Sequence, residues 1–125
     1  MNKNNSLEVI KDCTTYIKNH LQDTLTAESL ASRYGYSLYH FCHIFKICCD
    51  MSPGKYIRLL RLEKAKKDIL SGMSITQAGF DNGFETSSGF SKAFRKEYGI
   101  SAREYLKQNK ESEVLIMLHV EIKAL

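Results

Sequence analysis

Two windows of the sequence concentrate side chains that donate hydrogen bonds or carry positive charge. The first offers Tyr39, His40, Cys42, His43 and Lys46 beside an exposed Leu38, and the second Ser87, Ser88, Ser91, Lys92, Arg95 and Lys96. Neither set contains a carboxylate. A solvated helix face with no other task mixes charge signs, whereas a face apposed to phosphates excludes negative charge. The chemistry on offer is therefore recognition of an anionic partner through neutral donors flanked by cations. Covalent chemistry has less support: nucleophile and metal motifs such as GxSxG and HExxH are absent. Cys13, Cys42, Cys48 and Cys49 show no CxxC spacing and read as reduced packing residues, and no catalytic residue, metal or cofactor is assigned.

The two windows are copies of each other. Gly35-Tyr36 returns as Gly83-Phe84 at an offset of 48, while Phe41, Phe45-Lys46, Met51-Ser52 and Tyr56-Ile57 return as Phe90, Phe94-Arg95, Ile100-Ser101 and Tyr105-Leu106 at 49. The offset grows by one inside the turn, where an insertion costs least. Each copy reads as a short helix, a glycine-centred turn and a longer helix. Leu30, Ala31 and Tyr34 form the first stripe, Gly35 stops that helix and Ser37 caps the next; Ser74 with Gln77 forms a capping box, Gly83 stops and Thr86 caps. Phe41, Ile44, Phe45 and Cys48 in one copy, and Phe90, Ala93 and Phe94 in the other, recur at helical spacing and are expected to be buried.

Two further helices support the pair. Ser6 to Leu21 sets Leu7, Ile10, Cys13, Ile17 and Leu21 on one face. Ser52-Pro53 is a cap followed by proline at the first helical position, and it opens a run to about Leu70 with Tyr56, Ile57, Leu60, Ala65 and Ile69 inward. At 1.5 Å per residue that bridging helix spans about 27 Å, close to the roughly 34 Å of one DNA turn. The expected fold is all-α: about seven helices forming two helix-turn-helix subdomains, homeodomain-like, joined by a long bridging helix. The boundaries are a first helix-turn-helix at about 26–49, the bridging helix at about 53–70 and a second helix-turn-helix at about 74–98, within a domain of 1–106.

Composition agrees with a small globular domain, at 43% hydrophobic and 26% charged residues with a net charge of +4. Residues 1–106 hold 15 Lys/Arg against 11 Asp/Glu, and 107–125 hold three of each, so the basic excess belongs to the body. No apolar run approaches the roughly 18 residues of a membrane span, and the polar start lacks a secretory signal. A cytoplasmic protein with no membrane partner is expected.

In a helix-turn-helix the exposed N-terminal face of the second helix enters the major groove of double-stranded DNA. Lys92 and His43 then suit guanine O6 or N7, the serines several bases, and Tyr39 a thymine methyl or a phosphate. Lys46 and Arg95, one turn further on, suit phosphates, and His40 and Lys96 join them. A pure protein-interaction module is the bland alternative.

The stretches GYSLYHFCHIFKICCDMSPGKYIRLLRLEKAKKDIL and SITQAGFDNGFETSSGFSKAFRKEYGISAREYL resemble the DNA-binding domain of the AraC/XylS transcription regulators, over roughly Leu7 to Leu106. The resemblance implies seven helices and insertion into successive major grooves, with Tyr39, Cys42, His43, Ser87, Ser88, Ser91 and Lys92 toward bases and RNA polymerase as a partner. Three departures stand out. Cys42 and His43 replace the more usual arginine or glutamine, Ala102 replaces proline, and Gly79 replaces alanine at a cost of about 1 kcal/mol, making the second unit the looser one. Some DNA-repair regulators join this fold to reactive cysteines, which makes cysteine-dependent alkyl transfer the alternative activity.

The tail reads differently. Residues 107–113 form a polar linker and 114–125 an apolar end whose His119 to Lys123 alternates like a strand. VEIKAL resembles the opening strand of a GyrI-like domain, so a small-molecule effector bound by a C-terminal domain absent from this chain is expected.

Overall fold

A computed structural model describes residues 3–124, and these form seven helices with no strand among them. The chain divides into two compact units, 1–63 and 64–125. The first contains α1 (Lys3–Asn19), α2 (Ala27–Arg33) and α3 (Leu38–Cys49), the second α5 (Ile75–Asp81), α6 (Ser87–Tyr98) and α7 (Ala102–Ala124); α4 (Pro53–Leu70) runs through the division.

The core of the first unit is Ile10, Cys13 and Ile17 from α1, Leu30 and Ala31 from α2, Phe41, Ile44 and Phe45 from α3, and Ile57 from α4. Leu7 stands at the edge, 44% exposed. Thr26 starts α2 with a full capping box: its hydroxyl accepts from the Ser29 amide at 3.0 Å, and its own amide donates to Ser29 Oγ at 3.3 Å. A second tie joins α4 to the loop after α1, where Arg61 donates from Nε to the Leu21 carbonyl at 3.0 Å and from Nη2 to that of Asp23 at 2.8 Å. Burial lowers the Arg61 pKa, yet the two carbonyls take the place of lost water.

The turns of the two units are built alike. Gly35 at φ 74° lets Tyr36 N–H reach back to the Ala31 carbonyl at 2.9 Å, and Gly83 at φ 90° does the same for Phe84 and Gly79 at 3.0 Å. These six-to-one bonds satisfy carbonyls that the ending helix leaves open. Ser37 and Thr86 then cap α3 and α6 by accepting from the amides of His40 and Gly89. The extra residue of the second turn is Glu85, between Phe84 and the cap. Ser74 caps α5, but the second half of the expected capping box is missing because Gln77 donates its side-chain amide to Asp81 instead.

The repeat also extends further than its sequence suggests. Ile10, Cys13 and Ile17 of α1 are matched in burial and spacing by Leu62, Ala65 and Ile69 of α4, at an offset of 52. The offset drops to 48 for α2 and α5, so the connection after α1 is the longer one. Each unit is thus an opening helix followed by a helix-turn-helix, closed by an aromatic from the next helix. Tyr56 meets Phe45 edge-on at 5.5 Å, and Tyr105 meets Phe94 at 5.8 Å.

Gly79 is not a weak point. A Cβ there would lie 2.9 Å from Cγ and Cδ2 of Phe90, itself 1% exposed, so the absence of a side chain lets α5 approach the α6 ring closely. Helix propensity alone marks this glycine as a cost, but it does not include the Phe90 ring that α5 packs against.

The tail corrects a second expectation. Residues 107–113 are not a linker and 119–123 are not a strand: α7 continues without interruption from Ala102 to Ala124. Lys, Gln and Glu in 107–113 are good helix formers, and no Gly or Pro stops them. Five alternating residues with no partner strand leave backbone groups open that a helix satisfies within itself. Leu125 lies outside the described residues. Val114 to Leu118 are all exposed, so apolar side chains look out on every side of this helix. No helix among the described residues is long and apolar enough to cross a membrane.

Asn82 is the one buried polar side chain among the described residues, and its Nδ2 donates to Asp68 Oδ2 at 2.9 Å and to the Ala78 carbonyl at 2.8 Å. Desolvation pushes the Asp68 pKa up, but the hydrogen bonds from Asn82 and Lys64 outweigh it and hold the carboxyl below its ordinary value.

Gly79→Ala is expected to lose about 1 kcal/mol, because overpacking at the Phe90 ring (about 1–3 kcal/mol) exceeds the gain in helix propensity (about 1 kcal/mol). Urea denaturation measures it, and a stabilised variant would show that the ring yields. Asp68→Ala should cost about 1–2 kcal/mol at neutral pH. A depressed carboxyl pKa stabilises the fold above the unfolded value of about 3.9 and loses that contribution as pH falls through the folded value. The gap between wild type and variant should therefore close below about pH 4, and a gap that stays constant to pH 2 would contradict the assignment.

Candidate nucleic-acid interface

The geometry of α3 and α6 follows from two phenylalanines in each. Phe41 and Phe45, and Phe90 and Phe94, lie four residues apart and are at most 1% exposed. Side chains four apart share a helix face, so these pairs commit one face to the core and turn the opposite one outward. On α3 the outward face holds Tyr39, His43 and Lys46; on α6 the matching positions hold Ser88, Lys92 and Arg95, all exposed. His40, Ser87, Ser91 and Lys96 are exposed as well, while Cys42 is half-buried at the edge.

The first face is largely aromatic. Tyr39, 82% exposed, lays its ring parallel to that of His43 with centroids 6.2 Å apart, and His40 leans on Tyr36 at 5.1 Å. The second is small and cationic, with three serines around Lys92 and with Arg95 and Lys96 one turn beyond. No acidic residue lies in the first turn of either helix. No carboxylate there offsets the positive N-terminal end of either helix.

Leu38, expected on the exposed face, opens α3 at 43% exposure, whereas Ile47, in the position matching Lys96, is 69% exposed and is not among the residues expected there. The signal for Ile47 was its alignment with Lys96, which places it off the buried stripe. Cys48, expected in that stripe, is exposed, whereas its neighbour Cys49 is half-buried and packs against the core in its place. Cys13 is fully buried and burial raises its pKa to about 12; burial also raises that of Cys49. Both thiols are thereby kept from the thiolate form that reacts.

Paired helices with a tight glycine turn and an outward second helix define a helix-turn-helix, here present twice. A family model described as a helix-turn-helix domain matches residues 30–108. The chain belongs to the AraC-type helix-turn-helix family of transcription regulators, and the matched part is the DNA-binding domain. Among similar proteins, the transcriptional activator RhaS of Escherichia fergusonii is 31% identical over 79% of this chain and 36% of its own length. The right origin-binding protein of Escherichia coli K12 is 29% identical over 72% of this chain and 32% of its own. The chain thus spans about a third of the length of these relatives. Of solved structures, the C-terminal domain of AraT, a response regulator from Geobacillus stearothermophilus, superposes with a TM-score of 0.76 at 27% identity, covering 80% of this chain and 84% of that one. The AdpA DNA-binding domain, solved with a target DNA, gives 0.78 over 82% of this chain and 94% of that one; at 19% identity it speaks for the fold.

If Lys92 touches a base and Arg95 a phosphate, Lys92→Ala should cost about 1–3 kcal/mol on the preferred sequence and relax preference at one base position, whereas Arg95→Ala should weaken all sequences alike. Titrations on preferred and scrambled duplexes measure both, and equal losses on the two duplexes for Lys92→Ala would contradict the placement.

Proposed function

We propose that the chain is the DNA-reading part of a transcription regulator, with the N-terminal halves of α3 and α6 entering successive major grooves of double-stranded DNA. The observation that carries this reading is the outward face of each second helix, where donors and cations stand opposite a buried phenylalanine pair with no acidic residue in the first turn. His43 and Lys92 donate to guanine edges, Tyr39 packs on a thymine methyl, and Cys42, Ser87, Ser88 and Ser91 border the same base pairs. His40, Lys46, Arg95 and Lys96 neutralise phosphates, which fixes register without reading sequence.

The wider setting belongs to the same proposal: action in the cytoplasm, contact with RNA polymerase, and control by a small-molecule effector outside this chain. The basic excess of residues 3–106 over the neutral 107–125 supports DNA rather than a protein as the primary partner.

Selection of bound sites from a random duplex pool tests the reading. Two short motifs about 10 base pairs apart, centre to centre, are expected. Binding to the selected site should also fall steeply with salt, roughly 0.9 decade in affinity per decade of salt for each neutralised phosphate. Recovery of no sequence preference, or affinity indifferent to salt, would overturn it.

A further inference from the structure

Each supporting helix ends on a residue tied to a carboxylate, although the two residues have nothing in common as sequence. Tyr34 is the C-cap of α2 and Asn82 the C-cap of α5, at an offset of 48. Tyr34 Oη donates to Asp12 Oδ2 on α1 at 2.7 Å, and Asn82 Nδ2 donates to Asp68 Oδ2 on α4 at 2.9 Å. Both carboxylates belong to the opening helix of their own unit. They are not at matching positions: under the offset of 52 that aligns α1 with α4, Asp12 falls on Lys64, and Asp68 falls on Tyr16, one helical turn later. The shift compensates for side-chain length, since a tyrosine hydroxyl stands further from its Cα than an asparagine amide. A cation attends each pair. Lys64 donates to both oxygens of Asp68, at 2.9 and 3.1 Å, and the Arg33 guanidinium lies 3.9 Å over the Tyr16 ring beside Tyr34.

The same contact has thus been built twice from different residues. Its location gives it a consequence for recognition. Tyr34 and Asn82 immediately precede Gly35 and Gly83, the left-handed residues from which the chain swings into α3 and α6. A small rotation at this pivot displaces the tip of the following helix, where base contacts demand correct placement to within a fraction of an ångström.

We infer that Asp12–Tyr34 and Asp68–Asn82 are positioning pairs, each fixing the turn of its own unit and so the angle at which that unit's recognition helix meets bases. The inference rests on the reading of α3 and α6 as DNA-reading helices. None of the four residues touches DNA in this account. They act through the turn.

The test repeats the random-pool selection with the full chain carrying Tyr34→Phe, which removes one hydroxyl and keeps the ring, and with Asp68→Ala, which removes the second carboxylate while leaving Asn82 in place. A hydrogen bond to a charged group is worth about one decade in an equilibrium constant. Tyr34→Phe should therefore lower affinity for the selected site about tenfold and erode one of the two half-motifs, Asp68→Ala should erode the other, and affinity for random DNA should not change. Asp12→Asn keeps an acceptor for the Tyr34 hydroxyl and should retain the first half-motif, whereas Asp12→Ala should erode it as Tyr34→Phe does. Thermal midpoints separate folding from positioning. Variants that melt earlier but keep both half-motifs, or lose both equally, would overturn the inference. A wild type that selects no sequence would overturn the DNA reading itself, and the positioning role with it.

Discussion

The burial of two phenylalanines one turn apart, twice over, is the constraint on which the rest of the structure depends. Phe41 with Phe45, and Phe90 with Phe94, give up one face of α3 and α6 to their cores and decide by geometry what the opposite face shows. Everything else supports that commitment. The opening helix of the first unit supplies Ile10, Cys13 and Ile17 to its core, Leu62, Ala65 and Ile69 are the equally buried positions of α4, and Tyr56 or Tyr105 meets the second phenylalanine edge-on. The outward side is then free of packing duties and can carry whatever recognition requires.

The two units satisfy this constraint with different means. The first joins a full capping box at Thr26 to the Arg61 clamp on the loop after α1, and presents aromatic and imidazole rings. The second draws α5 against the Phe90 ring at Gly79, anchors its turn through a buried asparagine, and presents serines and cations. Similar frames with dissimilar faces suit a molecule that reads two unlike short sequences rather than a repeated one. The helix ends differ too. The left-handed residue that ends α3 is Asp50 at φ 59°, whereas α6 ends on Gly99 at φ 79°. Glycine adopts that region freely and aspartate at some cost.

Much of this was legible from the chain alone, and the reasons are local. Caps, glycine turns and i, i+4 phenylalanines lie within a few residues of one another, so Ser37, Gly35, Phe41 and their counterparts declare themselves in sequence. Features that depend on neighbours across a unit did not. The match between α1 and α4 was hidden because the offset changes from 52 to 48 through a longer loop, and because cysteine against alanine is not a visible likeness. Gly79 read as a loss because its partner, the Phe90 ring, is eleven residues away. The carboxylate ties were invisible since tyrosine and asparagine share only the ability to donate. The tail was misread for the opposite reason: a short alternation in His119 to Lys123 was given more weight than the unbroken run of helix formers leading into it.

On the reading proposed above, two outward faces, one per unit, each read bases. Methylation and uracil-substitution interference on a selected duplex tests it most directly, because removing access to guanine N7 or deleting a thymine methyl probes the major groove base by base. Two clusters of interference are expected about one helical turn, roughly 10 base pairs, apart on one face of the DNA, with guanine interference abolished by Lys92→Ala in one cluster alone. A single cluster, or interference that is insensitive to changes in α3 and α6, would contradict it.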